Sequence, residues 1–243
     1  MVSTPVERAK KNSLMPTKIS QPNLSAIGLP APLDFAVAPY EAIHGRVSSK
    51  KDSHPDPWTH CAGAWNAVAY RFISCAEHDE AFTASVGAHG NSPPQPQRYM
   101  QEKDLFGFFV TGFASLDSFC YGAYAFAAMV RPLDFNLADP RLINRERTED
   151  KFSTSFPTEA LTRALAALKE DPDFKKWKDI RNILAHRTVP GRRFSRGGSE
   201  DGTALWHNGI TIDQTTTSSR RQWLAGTLRD LLEAADAFTA NHL

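Results

Sequence analysis

The sequence predicts an all-α fold, a helical bundle of four to five main helices with a short β-hairpin or strand inserted before the last helix. Apolar residues recur at three- and four-residue spacing through most of the chain, and prolines stand between these periodic segments or at their starts. No Gly-rich phosphate loop of the strand-turn-helix kind is present, which argues against a nucleotide-fold enzyme.

The first helix is expected after Asp56-Pro57, where a carboxylate and a proline both suit a helix start. It carries Trp58, Ala62, Trp65, Val68, Ala69, Phe72, Ile73 and Ala76 to about Ser85. Gly90-Asn91-Ser92-Pro93-Pro94 breaks it. The second helix runs from about Arg98 to Val130, where Pro132 stops it. At about 100° per residue, Leu105, Phe109, Gly112, Leu116, Cys120, Ala123, Ala127 and Val130 form one stripe, widened by Phe106, Phe113 and Tyr124. Its apolar run, Leu105 to Val130, approaches a membrane span in length, but Thr111, Ser115, Asp117 and Ser118 interrupt it, so a buried bundle helix is expected. Residues 131–156 read as a charged connector. A third helix follows Pro157, and a fourth follows Asp171-Pro172 and ends before Pro190-Gly191. Arg192 to Gly202 reads as a flexible, initially basic loop, and Thr203 to Asp213 as a strand or hairpin. Ser218 is expected to cap the final helix.

Residues 1–55 contain seven prolines and scattered lysines without sustained periodicity, so they are expected to form an extended arm preceding one domain over residues 56–243. With 41% hydrophobic and 23% charged residues, the chain has material for one sizeable core. A net charge of +1 excludes a strongly basic nucleic-acid coat but leaves room for local basic patches. Cys61, Cys75 and Cys120 are odd in number and not clustered, which points to buried thiols in a reducing, cytoplasmic setting rather than disulfides or zinc. The opening MVSTPVERAKKNSLMP has early positive charge but no apolar core behind it, so a secretory signal is not expected.

The chemically suggestive string is Arg181-Asn182-Ile183-Leu184-Ala185-His186. A helical wheel turns Phe174, Trp177, Ile180 and Leu184 toward the core and Lys175, Asp179, Asn182 and His186 away from it. Asn182 and His186, four apart, are neighbours on the outer face. Arg181 lies on the flank, about 140° from His186 on an ideal helix. One protomer therefore does not easily gather Arg181 and His186 into one site, whereas two protomers could.

An Arg-Asn-x-x-x-His string late in a helical bundle resembles the HEPN superfamily, whose motif is an arginine, four to six residues, and a histidine. The long aromatic helix with Phe108-Phe109 and Ser115-Leu116-Asp117-Ser118-Phe119 also looks like the early core helix of HEPN-like families. The resemblance implies a defence- or toxin-like endoribonuclease domain, RNA as its partner, a homodimer, and cleavage without metal or other cofactor. It would make Arg181, Asn182 and His186 the catalytic residues. His186 would be base or acid, since imidazole changes charge near neutral pH. Arg181 would be the fixed cation beside the phosphate, and Asn182 the positioning group. Some HEPN toxins carry a tyrosine shortly after the histidine. Here Arg187 and Thr188 follow, so regulation through that tyrosine is not implied.

Arg187, Arg192, Arg193 and Arg196 surround Phe194 just past the motif and are candidates for RNA contact, against the plainer reading of a solvated loop. Asp117 and Asp179 are candidates for a supporting role. For Asp117, a structural hydrogen bond to a tyrosine or arginine is the competing reading. His60 and His78 lack companions at metal-ligand spacing and read as satisfied or surface histidines, His207 as a turn residue. Two other functions remain open: a non-catalytic module that uses the same polar face for dimerisation or partner binding, and a bundle that binds a small ligand or nucleotide.

Overall fold

Two long helices, α2 (Pro55–His89) and α3 (Gln95–Val130), run antiparallel and carry the rest of the molecule. Their direction is read from the contacts along them. Trp65 packs 6.0 Å from Phe119, the thiol of Cys75 lies 3.5 Å from the Phe108 carbonyl, and His78 Nδ1 is 3.2 Å from Asp104. Between them Gly90 takes φ 70°, a conformation that L side chains rarely adopt, and Pro93-Pro94 prevents the first helix from continuing. Both helices begin three residues or fewer before their predicted starts.

The computed structural model describes residues 23–186, 190–195, 203–206 and 209–243. Among these, α1 (Val37–Ser49), α4 (Arg145–Ser155), α5 (Ala160–Glu170), α6 (Pro172–His186) and α7 (Ser218–His242) complete the bundle. Strands β1 (Arg193–Ser195) and β2 (Thr203–Leu205) pair antiparallel with Phe194 opposite Ala204. The fold is thus all-α with a small β insertion before the last helix, as the sequence predicts.

Helix α3 is long and apolar enough to cross a membrane by length and composition, but 67% of its most apolar window is buried inside the bundle. Its C-terminal turns, from Phe119 to Met129, have most positions covered by neighbouring helices. Gly112 lets α6 approach. A Cβ there would lie 2.5 Å from Trp177, inside van der Waals contact. The indole N–H of Trp177 in turn donates to the Phe109 carbonyl at 2.8 Å, so burying this large ring leaves no orphaned donor.

Four expectations change. Residues 23–55 are not an extended arm. Helix α1 packs Tyr40, Ile43 and Val47 into the core, and Tyr40 and Trp65 each donate to the other's carbonyl at 3.1 Å. Leu24, Ala31 and Phe35 are also buried, and Asp34 is held by Arg221 at 2.8 and 2.9 Å. Residues 1–22 lie outside the described residues.

The charged connector contains a short 3-10 turn (Pro140–Leu142) and then α4, started by Asn144, whose side chain accepts from the Arg147 amide at 2.9 Å. The inner face of α4 is largely polar, with Arg145, Thr148 and Glu149 buried beside Phe152, so hydrophobic periodicity does not reveal it. Finally, α7 is preceded by Thr217 rather than capped by Ser218, with no side-chain cap bond. The stretch from Arg192 to Gly202 likewise contributes β1.

Candidate functional site

Helix α6 starts where Asp171 accepts from the amides of Asp173 at 2.7 Å and Phe174 at 2.9 Å, with Pro172 filling the first turn. Phe174, Trp177, Ile180 and Leu184 are its buried stripe, as the wheel requires. On the other side Lys175, Asp179 and His186 are exposed and Asn182 is half-buried. Among the described residues, neither His186 nor Asn182 has a side-chain hydrogen bond or ion pair.

Arg181 is held elsewhere. Its guanidinium carbon lies 4.3 Å from the centre of the Phe113 ring, and Nη2 is 3.6 Å from Asp117 Oδ2. Its Nε–H is buried and has no partner among the described residues. Phe113 stacks on Phe174 at 5.3 Å, and the Arg145 guanidinium lies 4.8 Å from the Phe174 ring centre. Four side chains from three helices therefore form one run, Arg181, Phe113, Phe174 and Arg145. Arginine favours such faces because its planar cation is weakly hydrated.

Carboxylates and further cations surround this run. Glu146 accepts from Arg145 at 2.7 Å and from Lys178 at 3.1 Å, while Arg71 bonds the Ala114 carbonyl at 3.1 Å and Ser118. Partial burial raises the Asp117 carboxyl above the usual carboxylate range and Glu146 adds to this, while Arg181, Arg71 and Arg145 pull it back. The Asp117 side chain keeps 46% of its surface exposed, so water tempers the effect. At Glu146 partial burial acts upward but is outweighed by its backbone amide, Lys178 and Arg145, leaving the carboxyl below its ordinary range.

Asp117 therefore stands beside an arginine as an ion pair at 3.6 Å, where one of its sequence readings expected a hydrogen bond to tyrosine or arginine. Its neighbours Tyr121 and Tyr124 are engaged with His60 at 2.6 Å and the Asn136 carbonyl at 3.4 Å. His60 and His78 are both satisfied within the bundle. No described contact joins Arg181 to His186 within the chain, and Asp179 stands exposed without a partner among the described residues.

The basic loop divides. Arg187, Arg196 and His207 lie outside the described residues. Arg192 departs from the expected RNA contact. Its side chain has 0% exposure, with Nε donating to Glu102 at 2.7 Å and Nη1 donating to the Asn91 carbonyl at 2.9 Å and Gln101 at 2.7 Å. A guanidinium enclosed in that way ties the hairpin to the start of α3 and does not reach a ligand. Its partners come from a distant part of the chain, which local composition cannot disclose. Arg193 and Phe194 remain exposed on β1. Arg145, Glu146 and Lys178 were not foreseen, because their grouping depends on α4, whose sequence looks like a connector, and Arg71 was not foreseen because it joins through the packing of α2 on α3.

Among the described residues no group of three or more histidines, cysteines or carboxylates could hold a metal ion. Comparison with protein-family models, with curated proteins and with solved structures finds no match to this chain.

Proposed function

We propose that the chain is a HEPN-like, metal-independent endoribonuclease of the cytoplasm that works as a homodimer, with His186, Asn182 and Arg181 at its reaction centre. The observation that carries this reading is the division of labour along α6. His186 is exposed and Asn182 half-buried, both without partners among the described residues, while Arg181 is fixed as a cation on the helix flank by Phe113 and Asp117. Such a division suits a site completed by a second α6.

In that arrangement His186 takes the proton from a ribose 2′-hydroxyl, whose oxygen attacks the adjacent phosphorus as the bond to the 5′-oxygen breaks. The leaving oxygen is protonated by an imidazolium, giving a cyclic phosphate end and a 5′-hydroxyl end. Arg181 offers N–H donors to the charge that gathers on the phosphate oxygens, and Asn182 orients the imidazole or the phosphate.

The Arg181–Asp117 pair favours a second reading, a non-catalytic α6 face used for dimerisation. Both are tested by incubating purified protein with a mixed RNA pool in EDTA, alongside His186→Ala and Arg181→Ala, with product ends and oligomeric state recorded. The ribonuclease reading expects cyclic phosphate ends that disappear in both variants while the dimer persists. No cleavage by the wild type, with the variants losing dimerisation, supports the second reading.

A further inference from the structure

The core-side edge of α6, the first turn of α7 and Ile210 after the hairpin enclose a cavity of about 300 Å³. Aromatic rings form much of its wall: Phe109, Trp177 and Trp223, with the two indole centres 5.4 Å apart and tilted by 39°, and Ile180 beside them. Both indole N–H groups are already bonded, Trp177 to the Phe109 carbonyl at 2.8 Å and Trp223 to Asp171 at 3.1 Å. Phe109 and Trp177 are only 0% and 3% exposed, so the apolar surface open to a ligand is that of Trp223 and Ile210, and it carries no free indole donor. On one side the cavity meets a second, polar space of about 320 Å³ that shares Lys176, Ile210, Ser219 and Arg220 with it and adds the hydroxyls of Thr211, Thr215 and Thr216.

Arg220, at the junction of the two spaces, lacks a charge partner. Its guanidinium donates to the Thr216 carbonyl, and among the described residues no carboxylate lies within 4 Å of it. Two acids line these spaces: Asp173 in the cavity is 3.5 Å from Lys176, and Asp213 in the polar space accepts from the Thr215 amide and hydroxyl at 2.7 Å each. Partial burial holds Arg220 below the ordinary arginine range against the field of Asp173 and Asp213. Its sequence neighbour Arg221 differs, holding Asp34 through two bonds and Asp79 at 3.3 Å. The other Arg220 donors are not among the buried, unpartnered nitrogens, so they stand open at the cavity and are free to meet the oxygens of an anion.

We propose that this cavity binds a flat aromatic molecule carrying one anionic group, with its ring against Trp223 and Ile210 and its carboxylate or phosphate on Arg220 and Lys176. The volume sits at the small end of ligand pockets, which fits one ring system of indole size with a short acidic arm. Any longer polar substituent would pass into the hydroxyl-lined space. The site uses none of Arg181, Asn182 and His186 and does not depend on the ribonuclease reading.

Calorimetric titration of the full chain with indole-3-acetate and with phenyl phosphate tests the proposal, with tryptophol as the uncharged ring and acetate as the ring-free anion. At least one aromatic anion is expected to bind at one site per chain, with tryptophol about tenfold weaker or less and acetate not measurable. Arg220→Gln is expected to weaken the aromatic anion about tenfold while leaving tryptophol unchanged. Ser219→Trp, which fills the mouth, is expected to abolish both without moving the thermal midpoint. Failure of both aromatic anions to bind wild type at concentrations up to about 5 mM, or equal binding by Arg220→Gln, would overturn it.

Discussion

The guanidinium of Arg181 lies 4.3 Å from the ring centre of Phe113, which fixes the arginine of the α6 motif on α3. With Asp117 at 3.6 Å, this gives Arg181 a structural role that His186, exposed on the same helix, does not share.

Arg181→Ala is therefore expected to cost about 1–2 kcal/mol of folding stability, from the lost ring contact and ion pair together. His186→Ala is expected to stay within about 0.5 kcal/mol of wild type. Urea denaturation of the two variants checks the contrast, and equal losses would mean that His186 has a packing role absent from this description.

Arg192 and Glu102 form the most enclosed ion pair of the hairpin region, with side-chain exposures of 0% and 14%. Arg192→Ala leaves Glu102 and Gln101 without their partner, and a loss of about 3–5 kcal/mol is expected. Arg193→Ala, one residue on and exposed, is expected to cost less than about 0.5 kcal/mol. Limited proteolysis should show faster cutting between α6 and α7 in Arg192→Ala only.

The fold was legible where apolar side chains repeat. Phe174, Trp177, Ile180 and Leu184 announce α6, and Pro132, Pro157 and Pro172 bound their segments correctly. Helix α1 also carries a stripe, Tyr40, Ile43 and Val47, but the prolines around it gave the stretch the look of a linker. Helix α4 was hidden for a different reason. It buries Arg145 on Phe174 and Glu149 against Lys169, at 2.9 Å, so the polar residues that suggest a connector are its packing face. The motif's outward histidine followed from helical phase. The partners of Arg181, Arg192 and Arg220 arise from tertiary approach, and no local pattern contains them.

Two glycines of α3 are expected to respond differently to alanine. At Gly112 a new Cβ meets Trp177 at 2.5 Å, Cys75 at 2.9 Å and Leu224 at 3.2 Å, all buried, so Gly112→Ala is expected to cost about 1–3 kcal/mol or more. At Gly107 the clash is with the His78 ring at 2.1 Å, and that side chain is 28% exposed and able to turn outward. Gly107→Ala should therefore be the milder change in a thermal melt, its main loss being the His78–Asp104 contact.

Burial pushes the Cys61 thiol up to about 12, and Cys75 and Cys120 higher still, through the same desolvation. For such groups the folded state favours the proton. Their contribution is fully present below the ordinary thiol range and is lost as pH rises through it toward the folded value. At pH 8 a disulfide reagent is expected to label none of the three thiols in the folded protein and all three in guanidinium chloride. Rapid labelling of the native chain would mean that α2 and α3 open far more readily than their packing implies.

The central functional claim is that one reaction centre draws His186 from one subunit and Arg181 from another, and subunit mixing tests it most directly. In a two-fold dimer, equal mixing of His186→Ala and Arg181→Ala chains, each inactive alone, leaves one intact centre in each mixed dimer, so roughly a quarter of wild-type RNA cleavage should return. Mixed dimers that form, with wild type active and no cleavage restored, would contradict a shared centre.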